Sequence, residues 1–328
     1  MQLNVDDAVI RAMGMGKVYK DFASRVNSID FHRCEDLLVT ASDDDSIRLY
    51  NTSTGERGDV FFSKKYGVQN ICFTHHPSHV VYGTRKAVAN DHALRYQDLC
   101  RNEYLRYYRG HSAPLNTLCL SPKTDMFMSA AQDKTVRLWD LRTNICQGLL
   151  STPGNPVASF DQQGLVFGVG TEAGLLKLYD VRSYDKGPFD TFVVQDEVNS
   201  TSLFADIKFS YDGKYLLVTV EGKVYVLDAF NGTVVRRILN TAPEGSTPME
   251  AVISADNKYV LQGCEDRNIR VWSIATGAEV ATWPGHAGTP NCLRWSSRQV
   301  LVASACQALA LWVPNLAMLE SQIIGRSI

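Results

Sequence analysis

The chain has 328 residues, with 33 Lys and Arg against 35 Asp and Glu, and 45% of it is hydrophobic. A formal net charge of −2 supplies no global field that would draw the protein to nucleic acid or to an anionic membrane, and no apolar run reaches the ~18 residues of a membrane-spanning helix. The acidic start, Met1 to Asp7, has no apolar stretch of signal-peptide length, and eight cysteines without a Cys-x-x-Cys pair read as buried thiols of a reducing compartment rather than a disulfide framework. On that reading the sequons at Asn51, Asn199 and Asn231 are chance matches.

Taken in chain order, the first strand-like segment is Lys17–Phe22, which has no hairpin partner of its own. A unit of four segments then begins and repeats. First strands are expected at Asn27–Phe31, Gln69–Phe73, Asn116–Leu120, Val157–Phe160, Ala205–Phe209, Met249–Ser254 and Asn291–Trp295. Second strands are expected at Leu37–Ser42, Val80–Thr84, Met126–Ala131, Leu165–Gly170, Tyr215–Val220, Tyr259–Cys264 and Val300–Ala305. The third strands end at Tyr50, Tyr96, Trp139, Tyr179, Leu227, Trp272 and Trp312, often with Asp next. Those seven positions lie 40 to 48 residues apart, with a mean of about 44, inside the ~40–45 residue period of a four-stranded propeller blade. Many second strands are apolar at both alternating positions, as expected for a sheet packed between two neighbours. Polar turns such as Ser121 to Asp125 and Gln132 to Lys134 punctuate the strands.

The expectation is therefore one all-β domain, a seven-bladed propeller with blades over about 17–315 and a C-terminal tail at 316–328. Helical periodicity is absent except weakly from Leu316 to Ile324. No good fourth strand follows Trp312, and an open ring would leave an unpaired sheet edge. The strand at Lys17–Phe22 is expected to complete the seventh blade beside the one ending at Trp312.

Gly110-His111 lies 28 residues before Trp139, and Gly285-His286 lies 26 before Trp312. With Trp139-Asp140 these match the Gly-His…Trp-Asp signature of WD40 repeats. The resemblance implies a structural hydrogen-bonded set of His111, Ser129, Asp133 and Trp139. Unit seven keeps His286 and Trp312 but has Cys306 in place of the aspartate. Units one and six keep Asp44 and Asp266 without a Gly-His pair, and units four and five are the most degenerate. A Ser-His-Asp grouping could also be read as a hydrolase triad, but the spacing is that of a blade, and no Gly-x-Ser-x-Gly elbow exists. His75-His76-x-x-His79 matches no standard zinc spacing and reads as a hairpin turn, and Asp43-Asp44-Asp45 reads as a turn capped by its own side chains. No catalytic residue, metal or cofactor is assigned.

Other stretches are not demanded by a blade: Ser63 to Val68, Leu105 to His111, Asn144 to Leu149, Arg182 to Phe189 and Ala303 to Cys306. Together they resemble the WD-repeat subunit, of the Swd-two type, of the Set/COMPASS histone H3 lysine-4 methyltransferase complex, over roughly residues 9–315. The resemblance implies a nuclear, non-catalytic scaffold. Its partners would be the methyltransferase subunits, RNA polymerase II with phosphorylated C-terminal repeats, and a phosphatase-containing termination complex. No sequence-specific nucleic acid contact and no membrane is implied. A rival adaptor reading rests on Trp139-Asp140-Leu141-Arg142, which is similar to the WD-x-R box of substrate receptors for cullin-type ubiquitin ligases, with Asp140 and Arg142 as the box residues and Tyr179 to Arg182 as a weaker copy.

Charge is uneven between the first two units: residues 24–63 carry a net −4 and residues 64–109 a net +5. Tyrosines interleave with the bases of the second unit. Arg and Tyr are common interface anchors, and basic clusters read phosphorylated peptides. The candidate partner surface is Lys64, Lys65, Tyr66, Arg95, Arg106, Tyr107 and Arg109; the alternative is a coat of charge on exposed hairpins.

Overall fold

In the computed structural model, described for residues 5–86, 92–171, 174–194, 204–220, 223–238 and 249–319, seven four-stranded antiparallel sheets form a ring. Blades 1 to 6 are consecutive meanders over residues 26–62, 69–108, 115–151, 157–193, 204–238 and 251–283. Blade 7 takes its three inner strands from residues 292–314 and its outer strand from Met13–Tyr19. The chain is a seven-bladed β-propeller closed by its N-terminal strand.

Burial follows strand position. The second strands are buried nearly throughout, as at Met126–Ala131 and Tyr259–Gly263, whereas the outer strand Arg57–Phe62 is exposed or half-exposed. The apolar surface is divided among seven clusters, most of them bridging neighbouring blades. Between blades 3 and 4, Met128, Val136 and Leu138 meet Phe160, Phe167 and Val169. This is why both faces of the second strands are apolar in the sequence.

Two kinds of polar bond are repeated around the ring. At the start of the inner strands, asparagine amides reach across to the next blade. Asn291 Nδ2 donates to Val26 O (2.7 Å), Asn27 Nδ2 to Val68 O (2.9 Å), Asn70 Nδ2 to Asn116 O (3.2 Å) and Asn116 Nδ2 to Pro156 O (2.9 Å). These staples join blades 7, 1, 2, 3 and 4 in sequence. The aspartates that follow the third strands cap the turn to the fourth: Asp98, Asp140, Asp180 and Asp228 each accept the amide two residues on, from Cys100, Arg142, Arg182 and Phe230, at 2.7–2.9 Å. Short polar side chains satisfy their own turns in this way, which accounts for the recurring Asp in the sequence period.

Ring closure differs in detail from the expectation of Lys17–Phe22. The closing strand begins four residues earlier, at Met13, and ends at Tyr19, pairing from Met13↔Pro314 to Tyr19↔Leu309 with an irregularity between Met15 and Lys17. Gly14 and Gly16 conceal it in the sequence, because glycine disfavours strands. Gly16 is needed there: a Cβ would lie 2.7 Å from Val313 Cγ2. Beyond the strand, Asp21 pairs with Arg48 (2.9 Å) and Arg57 (2.7 Å), and the Arg48 guanidinium lies over Phe22.

The acidic N-terminus also has a structural role that the sequence pattern did not disclose. Asp6 caps a short helix, Asp7–Arg11, by accepting from Val9 N (2.9 Å). The helix buries Ile10 completely. Trp283 Nε1 donates to Ile10 O (3.0 Å), Tyr259 OH to Asp7 Oδ1 (2.6 Å) and Lys258 Nζ to Val5 O (3.1 Å), so the segment clasps blade 6. The amide of Asn315 donates to Ala12 O (2.8 Å), tying in the end of blade 7. Residues 316–319 begin a helical turn; the rest of the expected tail, like Asn199, lies outside the described residues.

All eight cysteines are free. The expectation of buried thiols fails for Cys34 and Cys100, which are exposed because both sit in turns, and Cys119 and Cys146 are half-buried.

Candidate functional site

Blade 3 brings His111, Ser129, Asp133 and Trp139 together. Trp139 Nε1 donates to Ser129 Oγ (2.9 Å), Ser129 Oγ lies 2.7 Å from His111 Nε2, and His111 Nδ1 lies 2.8 Å from Asp133 Oδ2. Neutral His111 protonated on Nδ1 satisfies every one of these contacts: Ser129 donates to Nε2, and Nδ1–H donates to the carboxylate. Asp133 also accepts from Thr135 Oγ1 (2.7 Å) and from the amides of Thr135 and Ser112 (both 3.1 Å). Burial pushes His111 below its ordinary pKa against the pull of Asp133. Burial opposes ionisation of Asp133, but hydrogen bonds from Thr135 and His111 outweigh it and hold the carboxyl below its ordinary value. Ser129 is fully buried between an indole and an imidazole, so the set ties strands together and offers no hydroxyl to an outside molecule.

Blade 7 builds a variant. Trp312 Nε1 donates to Ser304 Oγ (2.7 Å), Ser304 Oγ lies 2.6 Å from His286 Nε2, and His286 Nδ1 faces Cys306 Sγ at 3.3 Å. Although burial opposes it, the contact with His286 and backbone hydrogen bonding at Ala308 and Gly288 bring the Cys306 thiol down to about 7. Ala303 to Cys306, expected to be a stretch that a blade does not demand, thus supplies two members of a blade network; Ser304 lies eight residues before its tryptophan where Ser129 lies ten before Trp139. In blade 1, Asp44 accepts from Ala23 N (3.0 Å) and Ser46 N (3.0 Å), and in blade 6 Asp266 accepts from Asn268 N (3.1 Å), so these aspartates hold turns without a histidine.

The basic second unit is assembled around one stack. The Arg95 guanidinium lies 3.4 Å from the centroid of the Tyr66 ring, 5.1 Å from Tyr107 and 5.5 Å from Tyr104. Lys65 Nζ lies 5.1 Å from the same Tyr66 ring, and Lys64 Nζ 5.6 Å from the Phe62 ring. Lysine and arginine over aromatic faces gain cation–π attraction of about 0.5–1 kcal/mol at exposed sites. Arg95 itself is buried, and its Nε has no hydrogen-bond partner among the described residues. Tyr104 and Tyr107 are exposed, as are Lys64 and Lys65. Lys65, Tyr66 and Tyr107 therefore gather around the buried Arg95, and Lys64, next to Lys65 in the chain, lies over Phe62. Arg106 belongs elsewhere: its charge is felt by Tyr96, Tyr108 and Asp140. Arg109 is exposed at the end of the outer strand.

The net charges of the two units partly cancel across their junction. Arg85 lies 3.5 Å from Asp45 and 3.8 Å from Asp43, and Lys86 bonds Asp45. Two of the eight bases are thus committed to blade 1, and the positive surface is narrower than the count of residues implies. Tyr104 was missing from the candidate set. Three residues before Tyr107 it would face the other side of a regular strand, and the irregularity opposite Tyr96 and Gln97 brings both rings to Arg95.

The proposed ligase box is turn chemistry. Arg142 folds back on Asp140, with Nε 2.9 Å from Oδ1 and Nη2 2.6 Å from Oδ2. In the weaker copy, Asp180 caps the same turn through the Arg182 amide. The three histidines at 75, 76 and 79 have separate partners: His75 Nε2 lies 3.1 Å from Thr124 O, His76 Nδ1 3.0 Å from Ser78 Oγ, and His79 Nδ1 2.9 Å from Tyr96 OH.

Comparison with known proteins agrees with this architecture. The WD domain, G-beta repeat family matches residues 16–51 and 102–140. Protein ANTHESIS POMOTING FACTOR 1 of Arabidopsis thaliana is 44% identical over 95% of this chain and 94% of its own length. WD repeat-containing protein 82 of Drosophila melanogaster is 37% identical over 96% of this chain and 98% of its own length. The Set1 complex component swd2 of Schizosaccharomyces pombe is 32% identical over 78% of this chain and 72% of its own length. With that similarity on a complete seven-bladed ring, the chain belongs to the Swd2-like family of WD40-repeat propellers, to which these proteins are similar throughout most of their length.

Proposed function

We propose that the chain is a nuclear, non-catalytic scaffold subunit of a histone H3 lysine-4 methyltransferase complex. The observation that carries this reading is the similarity to the Set1 complex component of fission yeast, over about three quarters of both chains. A closed ring of seven blades suits the role, because its turns and outer strands present many surfaces on one rigid frame. The internal use of the His111 set is consistent with a scaffold, since its polar groups are spent on each other.

In this reading the scaffold links the complex to RNA polymerase II whose C-terminal repeats are phosphorylated, and it also serves a phosphatase-containing termination complex. The surface for the phosphorylated segment is the Arg95 stack with Lys64, Lys65, Tyr66 and Tyr107. Arginine grips phosphate oxygens through paired hydrogen bonds, and stacking on Tyr66 holds the guanidinium plane in one orientation beforehand. Co-expression with the methyltransferase subunits tests the assignment. The chain is expected to co-elute with them as a stable complex on size exclusion, and elution of a folded chain as a separate monomer would refute membership.

A further inference from the structure

The inner strands of the seven blades enclose a central cavity of about 370 Å³. Its wall is electrically divided. Blades 2, 3 and 4 line it with uncharged residues such as Asn70, Thr117 and Ser159. Facing them are Asp206, Lys208, Glu250 and Arg294 of blades 5 to 7, with Arg33 from the turn of blade 1.

The acids of the wall already have partners. Lys208 Nζ lies 3.1 Å from Asp206 and 2.7 Å from Glu250. Glu250 also bonds Arg294 and accepts the amide of Leu293 at 2.9 Å. Arg33 is different: it is exposed and has no ion pair or hydrogen bond among the described residues. It lines the same cavity as Arg294, and Asp30 and Tyr211 each feel the charge of both. A further acid, Asp30, is not among the lining residues; its Oδ2 accepts from Phe73 N (2.9 Å), and burial raises its pKa. Burial and the nearby Arg294 bring Lys208 down to about 7 in spite of Asp206. Among the lining residues three basic side chains, Arg33, Lys208 and Arg294, stand against two acids, Asp206 and Glu250.

We propose that this end of the channel binds a small phosphate-bearing anion, gripped by Arg33 and Arg294 with Lys208 behind them. Two guanidiniums that line one cavity from different blades can offer paired N–H donors to the oxygens of a phosphate, which a single lysine does not. The volume admits a phosphate, a diphosphate or a compact phosphorylated metabolite, and it excludes a folded partner. The uncharged wall, with the hydroxyls of Thr117 and Ser159, takes whatever the phosphate carries. This site is separate from the Arg95 stack, so neither proposal depends on the other.

Calorimetric titration of the full chain with inorganic phosphate and with pyrophosphate, near neutral pH and in buffers of different ionisation enthalpy, tests it. The expected result is saturable binding at one site, tighter for pyrophosphate, with uptake of protons as Lys208 becomes fully charged. Arg33→Gln should weaken that binding at least about tenfold, the usual order for removing a charged hydrogen-bond partner. Because Arg33 is exposed and unpaired among the described residues, this variant keeps the fold, which its unchanged Tm would show. Absence of saturable binding to the folded wild type, or unchanged affinity in Arg33→Gln, overturns the proposal. Citrate binding as tightly as pyrophosphate would overturn the assignment to phosphate.

Discussion

Replacing Asp133 by alanine removes the acceptor of four hydrogen bonds at once: those from His111 Nδ1, from the Thr135 hydroxyl, and from the amides of Thr135 and Ser112. The Thr135 hydroxyl and the turn amides lie near the surface and can turn to water. His111 cannot, since its side chain is only 1% exposed and its other neighbour at Nδ1, Thr135 Oγ1, lies at a long 3.4 Å. Leaving a buried donor unsatisfied costs about 1–3 kcal/mol, and a bond to a charged group is worth about 1.5–3 kcal/mol. A loss of about 3 kcal/mol is the working value. At about 2.1 cal/mol/K of unfolding entropy per residue, 328 residues give about 0.7 kcal/mol/K, so Tm should fall by about 4 °C. Asp266→Ala is the internal comparison. It stands in the equivalent turn of blade 6 and pairs with Arg270 at 2.8 Å, with both side chains about one-third exposed. Exposed pairs contribute about 0–1 kcal/mol, so its Tm should fall by no more than about 1.5 °C. Differential scanning calorimetry of both variants decides the matter. Equal shifts, or an Asp133→Ala variant that melts with the wild type, would refute the reasoning that the blade 3 set is a buried structural network.

Deleting residues 1–12 while keeping the closing strand should lower Tm by several degrees and expose Trp283 to solvent, read as a red shift in its fluorescence; an unchanged emission would show that the helix does not cover it. Gly16→Val should cost about 1–3 kcal/mol by overpacking against Val313, measured by chemical denaturation, and a neutral effect would contradict the tight approach in the closing strand. Lys64→Glu with Lys65→Glu should weaken binding of a phosphorylated polymerase-tail peptide with no change in Tm, and wild-type binding should weaken as salt rises because exposed charges are screened over ~10 Å at 0.1 M; equal affinity for the unphosphorylated peptide counts against the site. Burial lowers the pKa of His32, His79 and His111. A histidine with a depressed folded pKa contributes stability that is present above its unfolded value, near 6.5, and is lost as pH falls below it. Tm should therefore drop between about pH 7 and pH 5, and a rise would contradict the burial of these rings.

The propeller was legible in the sequence because a blade must repeat its burial pattern. The third strands end in a large apolar or aromatic side chain, and in blades 2 to 5 an aspartate that caps a tight turn follows within two residues; blade 7, with Val313 and Pro314 after Trp312, departs from this. The His111 set was legible for the same reason. What escaped detection involved partners distant in sequence. Met13 to Gly16 does not look like a strand, since it carries two glycines and the close neighbour of Gly16 is Val313, about 300 residues away. The helix at Asp7–Arg11 is too short for a period to show, and what it covers lies on blade 6. The net +5 of the second unit was read correctly as composition, but Arg85 and Lys86 turn toward blade 1 and Arg106 toward Asp140, so a count of charges could not tell which bases share a surface. The Arg95 stack became visible only when Tyr66 and Tyr107 were brought to the same guanidinium.

The assignment to a methyltransferase scaffold is tested most directly by affinity purification of the tagged full chain from nuclear extract, with identification of its stable partners. The account predicts recovery of histone H3 lysine-4 methyltransferase subunits together with phosphorylated RNA polymerase II. Recovery of cullin adaptors without any methyltransferase subunit would contradict it.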